Sequence, residues 1–417
     1  MPSSRPLRRL LVVLALLGGV TLVPSASASS SGSTDLSTGD RGTGPTIPVA
    51  AATQGTGDIT WSDVPKDHWA KVAIDHVGAT NDWMRDYKQA DDGTYPFKPD
   101  AAATRKHLAR AVVRAFAPEE IPDPAITFTD LPADDKFFEA ANVAVKLGWM
   151  TADGGSFLPD DPVTTTVAHR ALVLALGLGE EAAGLDNLHT KNAHTFETPP
   201  DFGTLLLGIR LGLRYNHGDE GLDVGPATQL TRAEVAWSLY RASTAPSWTI
   251  GGLAPYAKIE LPTLGPKKRQ IVQFGVGYVG YPYVYAGEWH EPTPAGYCCG
   301  AQPVGGFDCS GLMWWVMRSA TTSWDNSPPR AYEGWPLAER SSHDMASVGE
   351  KIEFDDIRSG DLLFYDGNDD STVDHVNLYL GNGWALDSSS GAGGVSILKV
   401  DSGWYFDHFV HARRIIG

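Results

Sequence analysis

The hexapeptide Gly306-Phe307-Asp308-Cys309-Ser310-Gly311 runs straight into Leu312-Met313-Trp314-Trp315-Val316-Met317-Arg318. The second stretch is apolar and suits a buried helix, with Leu312, Trp315, Val316 and Ser319 on one face at helical spacing. Asp308 or Ser310 is suited to cap its start. Cys309 then falls in the first turn, where the macrodipole and unpaired N–H groups favour a thiolate over a thiol. The thiolate is the reactive species, so Cys309 is a candidate nucleophile. The structural alternative is a packed or disulfide-bonded cysteine.

The chain has three cysteines, an odd number. Cys298 and Cys299 are adjacent. A vicinal disulfide would leave Cys309 free, whereas pairing of either with Cys309 would remove the nucleophile. Zinc ligation by His290, Cys298, Cys299 and Cys309 matches no usual ligand spacing, so neither a metal nor another cofactor is expected. The odd count bears on the chemistry because the N-terminus reads as an export signal over residues 1–28. Arg5, Arg8 and Arg9 form a basic region, Leu10–Val23 an apolar one, and Ala26-Ser27-Ala28 a small-residue cleavage site. No second transmembrane run follows, so stable membrane insertion after cleavage is not expected. Residues 29–57 are rich in Ser, Gly and Thr and read as a disordered spacer. A net charge of -17 argues against nucleic acid as a partner.

Residues 58–243 contain a weak repeat, with units at about 58–118, 126–180 and 194–243. Each opens on a short motif: Trp61-Ser62-Asp63-Val64, Phe128-Thr129-Asp130-Leu131 and Phe196-Glu197-Thr198-Pro199. Turns follow at Tyr95–Asp100 and Ser156–Asp160. Thr104-Arg105 and Leu230-Thr231-Arg232-Ala233-Glu234 then lead into helical patterns, and Thr231 with Glu234 has capping-box spacing. Units of this size cannot bury an apolar face alone and are expected to stack. These residues resemble S-layer homology repeats, the second copy lacking its arginine at Thr164-Thr165-Thr166. The resemblance implies an all-α repeat array that anchors the protein to cell-wall polysaccharide. Arg105 and Arg232 would be the residues meeting an anionic glycan, in the bidentate manner of guanidinium groups. The alternative is that these arginines tie helices together.

Residues 244–266 carry four prolines and no helical period and read as a linker. In the C-terminal half, residues 267–417, Lys267–Val279 reads as an amphipathic helix and Gly360–Tyr365 as a turn into a buried strand. Val373–Leu380 alternates, with His375, Asn377 and Tyr379 on one face. Gly381-Asn382-Gly383 signals a hairpin. A three-residue loop pairs Leu380 with Trp384 and puts His375 and Asp387 on one face. A two-residue loop sends Asp387 to the other face. Only the first lets Asp387 orient the imidazole for Cys309.

The motifs Phe307-Asp308-Cys309-Ser310-Gly311, Gly360-Asp361-Leu362 and His375–Gly381 together resemble the NlpC-type peptidoglycan endopeptidases. The resemblance implies a papain-like α+β domain acting on peptidoglycan stem peptides. It implies Cys309 as nucleophile, His375 as base, Asp387 as the third polar residue and Tyr283 near the substrate carbonyl. Asp308, with Ser310 beside it, would meet a substrate amine. The chain departs from the pattern at Tyr285-Ala286, where Trp-Gly is usual, and in the long stretch Glu288–Gly305. The expectation is a multidomain, secreted, wall-associated cysteine peptidase. Its alternatives are a wall-binding scaffold with an inactive peptidase-like domain, or an amidase or acyltransferase using the same Cys–His pair.

Overall fold

The computed structural model describes residues 59–317 and 337–416. The expected signal segment 1–28, the spacer 29–57 and Arg318–Ser319 lie outside the described residues.

Three helices, Arg105–Phe116, Thr165–Ala175 and Arg232–Thr244, each follow a threonine with extended backbone. The segments leading into them close a ring of backbone hydrogen bonds. Ala103 N–H donates to Leu230 O at 2.9 Å, Leu230 N–H to Val163 O at 2.8 Å, and Val163 N–H to Ala103 O at 2.8 Å. The opening motifs hold the turns that precede these helices. Both oxygens of Asp63 accept backbone N–H groups, from Phe97 and Lys98, and those of Asp130 accept from Phe157 and Leu158, all at 2.8 Å. Lys98 and Leu158 sit at φ 60° and 58°, a conformation costly for side-chain-bearing residues and held here by the carboxylate. The third opening motif has Glu197 instead. Its backbone N–H donates to Gln273 Oε1 and its carbonyl accepts from Gln273 Nε2, at 2.9 and 2.7 Å. Gln273 lies on the helix Pro266–Val276 of the C-terminal half. Of the expected capping box, one bond forms: Glu234 N–H donates to Thr231 Oγ1 at 3.2 Å. The Glu234 side chain instead pairs with His217 at 2.9 Å.

The segment 244–266 is more structured than its composition implies. It contains the helix Ser247–Gly251, a 3-10 turn Ala254–Lys258 and a strand β2 (Glu260–Leu261) that pairs in parallel with β1 (His189–Thr190). Leu253, Tyr256, Ile259, Leu261 and Leu264 are buried. Elements of five residues or fewer are too short to express a helical period, which is why none is visible in the sequence.

Buried Arg214 binds the two halves together. Its guanidinium donates to the carbonyls of Val224, Gly280, Tyr281 and Gly393, the last three in the C-terminal half. Tyr256 Oη adds a bond to Ile397 O at 2.6 Å.

In the C-terminal half the helix Pro266–Val276 starts one residue before the expected span and stops at Gly277. A short antiparallel pair, β3 (Glu288–Trp289) and β4 (Gly306–Phe307), pinches off the excursion between them. The helix Cys309–Met317 follows, with all nine residues buried. Its apolar residues, Trp314 and Trp315 included, form core against a six-stranded antiparallel sheet. The strands are β5 (Glu350–Ile352), β6 (Leu362–Tyr365), β7 (His375–Gly381), β8 (Trp384–Ser389), β9 (Gly394–Lys399) and β10 (Phe409–Arg414). Their spatial order is β5-β10-β6-β7-β8-β9.

The β7–β8 hairpin combines the two anticipated registers. At the tip Gly381 pairs with Trp384, leaving the two-residue turn Asn382-Gly383. Leu380 is then bulged out, and Tyr379 pairs with Ala385 and Leu378 with Leu386. Below the bulge the pairing is that of the three-residue loop, so His375 and Asp387 share a face.

Candidate active site

Cys309 opens its helix, is 8% exposed and is a free thiol. Cys298 and Cys299 form a vicinal disulfide. That bond excludes a Cys309 disulfide to either of them and takes both sulfurs out of the zinc grouping. Asp308 caps the helix: its Oδ1 accepts the Gly311 N–H at 2.5 Å. The close approach requires glycine at 311, because a Cβ there would lie 1.9 Å from Gly287 O.

His375, at the start of β7, lies beside the sulfur, which is also 3.9 Å from Asp374 O. Its Nε2 donates to Asp387 Oδ1 at 2.7 Å, leaving Nδ1 as the nitrogen for Cys309. Asp387 is fully buried, and its other oxygen accepts from Tyr405 Oη at 3.0 Å. Burial opposes the imidazolium, but the Asp387 charge and the Cys309 sulfur outweigh it and hold His375 well above the ordinary histidine range. Burial likewise opposes the Asp387 carboxylate, and the His375 charge and hydrogen bond overcome it and hold that group low. Both directions favour an imidazolium–carboxylate pair. Ser388, next along β8, donates from Oγ to Phe307 O at 2.7 Å, tying the Asp387 strand to the strand that delivers Cys309.

Tyr283 bridges Phe307 in parallel, beside the same strand. Its phenol is half-buried, and burial, then the Cys309 and Asp308 groups, push its ionisation up, so it stays a neutral donor.

The structure brings Cys309, His375, Asp387 and Tyr283 into one region and ties Asp308 and Ser310 to Arg340. Asp308 Oδ1 and Oδ2 accept from Arg340 Nη1 and Nη2 at 3.1 and 3.2 Å. Ser310 Oγ donates to Asp308 Oδ1 and accepts from Arg340 Nη1. Arg340 also donates from Nε to Glu288 Oε2 at 2.8 Å and from Nη2 to Gly287 O at 3.0 Å. Glu288 Oε1 in turn accepts the Tyr297 and Cys298 N–H groups of the excursion. Asp308 therefore acts as cap and clamp, with three protein donors on Oδ1 and one on Oδ2.

The two repeat arginines lie away from this region. Arg232 is 2% exposed and donates to Asp86, Met84 O and Phe97 O, so it is interior and out of reach of a polysaccharide. Arg105, half-buried, donates to Phe157 O and Thr151 O of the next unit.

Sequence reasoning missed Tyr405 and Arg340. Tyr405 sits on the five-residue helix Gly403–Asp407, and Arg340 precedes a polar connector. Neither stretch carries a motif. Replacing Tyr405 with Phe is expected to lower kcat about tenfold with KM nearly unchanged. It removes one hydrogen bond to a charged, fully buried acceptor and leaves the ring packing in place. Steady-state kinetics on the variant check this; an unchanged kcat would show the phenol to be passive.

Residues 280–414 match the model of the NlpC/P60 family. Murein DD-endopeptidase MepH of Escherichia coli (strain K12) is 29% identical over 117 residues, 28% of this chain and 39% of that protein. Bifunctional muramidase/DL-endopeptidase CwlT of Bacillus subtilis (strain 168) is 27% identical over 146 residues, 35% of this chain and 36% of that protein. The chain thus spans less than half the length of these two relatives. Peptidoglycan endopeptidase RipB of Mycobacterium tuberculosis is 27% identical over 267 residues, 61% of this chain and 90% of that protein. A solved structure of the peptidoglycan hydrolase RipB from Mycobacterium tuberculosis is 28% identical, covers 40% of this chain and 77% of that one, and has a TM-score of 0.28.

Proposed function

We propose, from the NlpC/P60 match over residues 280–414, that this chain is a secreted cell-wall cysteine peptidase that hydrolyses amide bonds in peptidoglycan stem peptides. The observation that carries the reading is a free cysteine at a helix start beside an imidazole held at 2.7 Å by a buried carboxylate. Named relatives that are peptidoglycan endopeptidases support the substrate class.

In this reading the Cys309 sulfur attacks a stem-peptide carbonyl. Backbone N–H groups at the helix start and the Tyr283 phenol receive the developing oxyanion. The His375 imidazolium, oriented by Asp387, gives its proton to the leaving amine, and the C–N bond breaks to leave a thioester. His375 then takes a proton from water, which attacks the thioester. The acid is released and the sulfur is restored. The bond between D-glutamate and a diamino acid is the proposed target.

The helical half is read as three S-layer-homology-like units that hold the enzyme on wall polysaccharide. The three-way backbone ring and the matching roles of Asp63 and Asp130 support a shared plan for the units. Because Arg232 is interior, wall contact would fall to other surface groups of this half.

One incubation tests both parts. Purified cell walls are mixed with the full protein, its Cys309 kept reduced, and centrifuged. The protein is expected in the pellet, and new muropeptide fragments in the supernatant by mass spectrometry. The fragment masses identify the bond cut. No new fragment would refute the peptidase. A fragment released at another amide would support the amidase reading, and a protein left in solution would refute anchoring.

A further inference from the structure

Residues 290–305 form an arm whose base is closed by the β3–β4 pairing. Further along, Thr293 and Gln302 exchange both backbone hydrogen bonds, at 2.9 and 2.8 Å. Gly296 N–H donates to Gly300 O at 2.6 Å, so the chain turns back over residues 297–299. Cys298 and Cys299 stand at that turn, both exposed and joined by their disulfide. A bond between sequence neighbours closes almost no loop, so it adds little to global stability. What it restrains is the backbone of the tip.

That backbone serves a buried charge. Glu288 is 1% exposed, and its Oε1 accepts the Tyr297 N–H and, at 3.2 Å, the Cys298 N–H. Its Oε2 accepts from Arg340 Nε at 2.8 Å. The fit is close, because a Cβ at Gly296 would lie 2.5 Å from Glu288 Oε1. Arg340 continues to Asp308 and Ser310, the residues on either side of Cys309. A second contact runs through the Tyr297 ring, which stacks at 4.8 Å on Trp314 of the helix Cys309–Met317. The disulfide is therefore linked to both the start and the body of the nucleophile's helix. A buried carboxylate that loses two N–H donors draws harder on the donors left to it. Here that pulls Arg340 towards Glu288 and away from Asp308. An Asp308 carboxylate without its cation repels a thiolate at Cys309.

We propose that the Cys298–Cys299 bond is a redox modification site that sets the reactivity of Cys309, high when the bond is closed and low when a dithiol reductant opens it. The inference rests on the peptidase reading. A thiolate of the dithiol attacks one of the two sulfurs, the S–S bond breaks, and the other sulfur leaves as a thiolate and takes a proton. The second sulfur of the dithiol, deprotonated, then displaces the protein sulfur from the mixed disulfide, and that sulfur takes a proton as well. The arm is left with two thiols and the reductant departs as a disulfide. Two electrons and two protons have passed to the protein.

The test uses the full-length protein with Cys309 reduced, with and without dithiothreitol treatment, the reductant then being removed without air. Mass spectrometry after iodoacetamide is expected to find only Cys309 modified without treatment and all three cysteines after it. The rates of Cys309 alkylation and of muropeptide hydrolysis are each expected to fall about tenfold on opening, the scale of a charge-assisted hydrogen bond. The double variant Cys298→Ser with Cys299→Ser is expected to show the lower rates with or without dithiothreitol. Should that variant not fold, the treated native protein still supplies the open state. Cys309 alkylation that is equal or faster in the open state overturns the proposal, as does measurable hydrolysis that is equal or faster. A disulfide that dithiothreitol leaves closed, or a folded variant with the closed-state rates, overturns it too. No hydrolysis in either state refutes the peptidase reading, and the alkylation rates alone then decide the coupling.

Discussion

Replacing Cys309 with alanine is expected to lower stem-peptide hydrolysis by about 10³-fold or more while leaving the fold unchanged. Removing the nucleophile from a group that acts as a unit eliminates the covalent route, and what remains comes from binding and oxyanion contacts alone. The structural cost is small. The side chain is 8% exposed, and its sulfur lies beside His375 and makes a long approach of 3.9 Å to Asp374 O. Alanine suits a first helical turn, and the cap at Asp308 is untouched. The measurement is initial rate on purified muropeptides, with circular dichroism as the control for folding. Retained hydrolysis in a folded variant would refute Cys309 as the nucleophile.

Asp387→Asn is expected to be nearly as damaging, and its signature lies in pH. The Asp387 charge is the first of the groups holding the imidazolium up against burial. Without it the His375 pKa falls, so the alkaline limb of the kcat/KM profile moves to lower pH by about one unit or more. The rate at neutral pH is expected to drop by about 10³-fold, because the amide neither stabilises imidazolium nor enforces its tautomer. Stability should follow the same pair. The raised His375 contributes fully below the ordinary histidine value of 6.5 and loses its contribution as pH climbs through its own higher value. The lowered Asp387 contributes fully above the ordinary carboxylate value of 3.8 and loses its contribution as pH falls through its own lower value. The wild-type protein therefore has the full benefit of the pair between those two ordinary values. Asp387→Asn flattens that dependence. A limb that stays in place in the variant would remove Asp387 from the titration of the base.

Which parts of this arrangement are legible in the chain follows from how local they are. Cys309 and the helix behind it are neighbours in sequence, so a cap residue, a cysteine and an apolar run together betray them. His375 is visible because a strand alternates. Asp387 is a different matter. Its side of the sheet depends on whether one residue, Leu380, is paired or bulged. A two-residue turn and a three-residue turn are both compatible with Gly381-Asn382-Gly383, and the backbone adopts the first while recovering the register of the second. Tyr405 and Arg340 act across 18 and 32 residues of separation, on Asp387 and Asp308. Nothing near them in the chain records those partners. Arg232 shows the converse problem. An arginine at a helix start carries the same sequence signal whether it faces solvent or the interior, and only its burial against Asp86 separates the two.

Arg214 bears on how such a chain can be rearranged over evolutionary time. A domain that travels as an independent cassette keeps its backbone groups satisfied within its own borders. Here three carbonyls of the C-terminal half, at Gly280, Tyr281 and Gly393, take donors from a side chain on the far side of the 244–266 segment. Excising the helical half would strand the Gly280 and Gly393 oxygens, Tyr281 O keeping the Val395 N–H at 2.9 Å, and would uncover Gly280, whose missing side chain leaves room for Leu205. The C-terminal half is consequently a dependent partner, and swapping its companion for an unrelated module would require the seam to be rebuilt residue by residue.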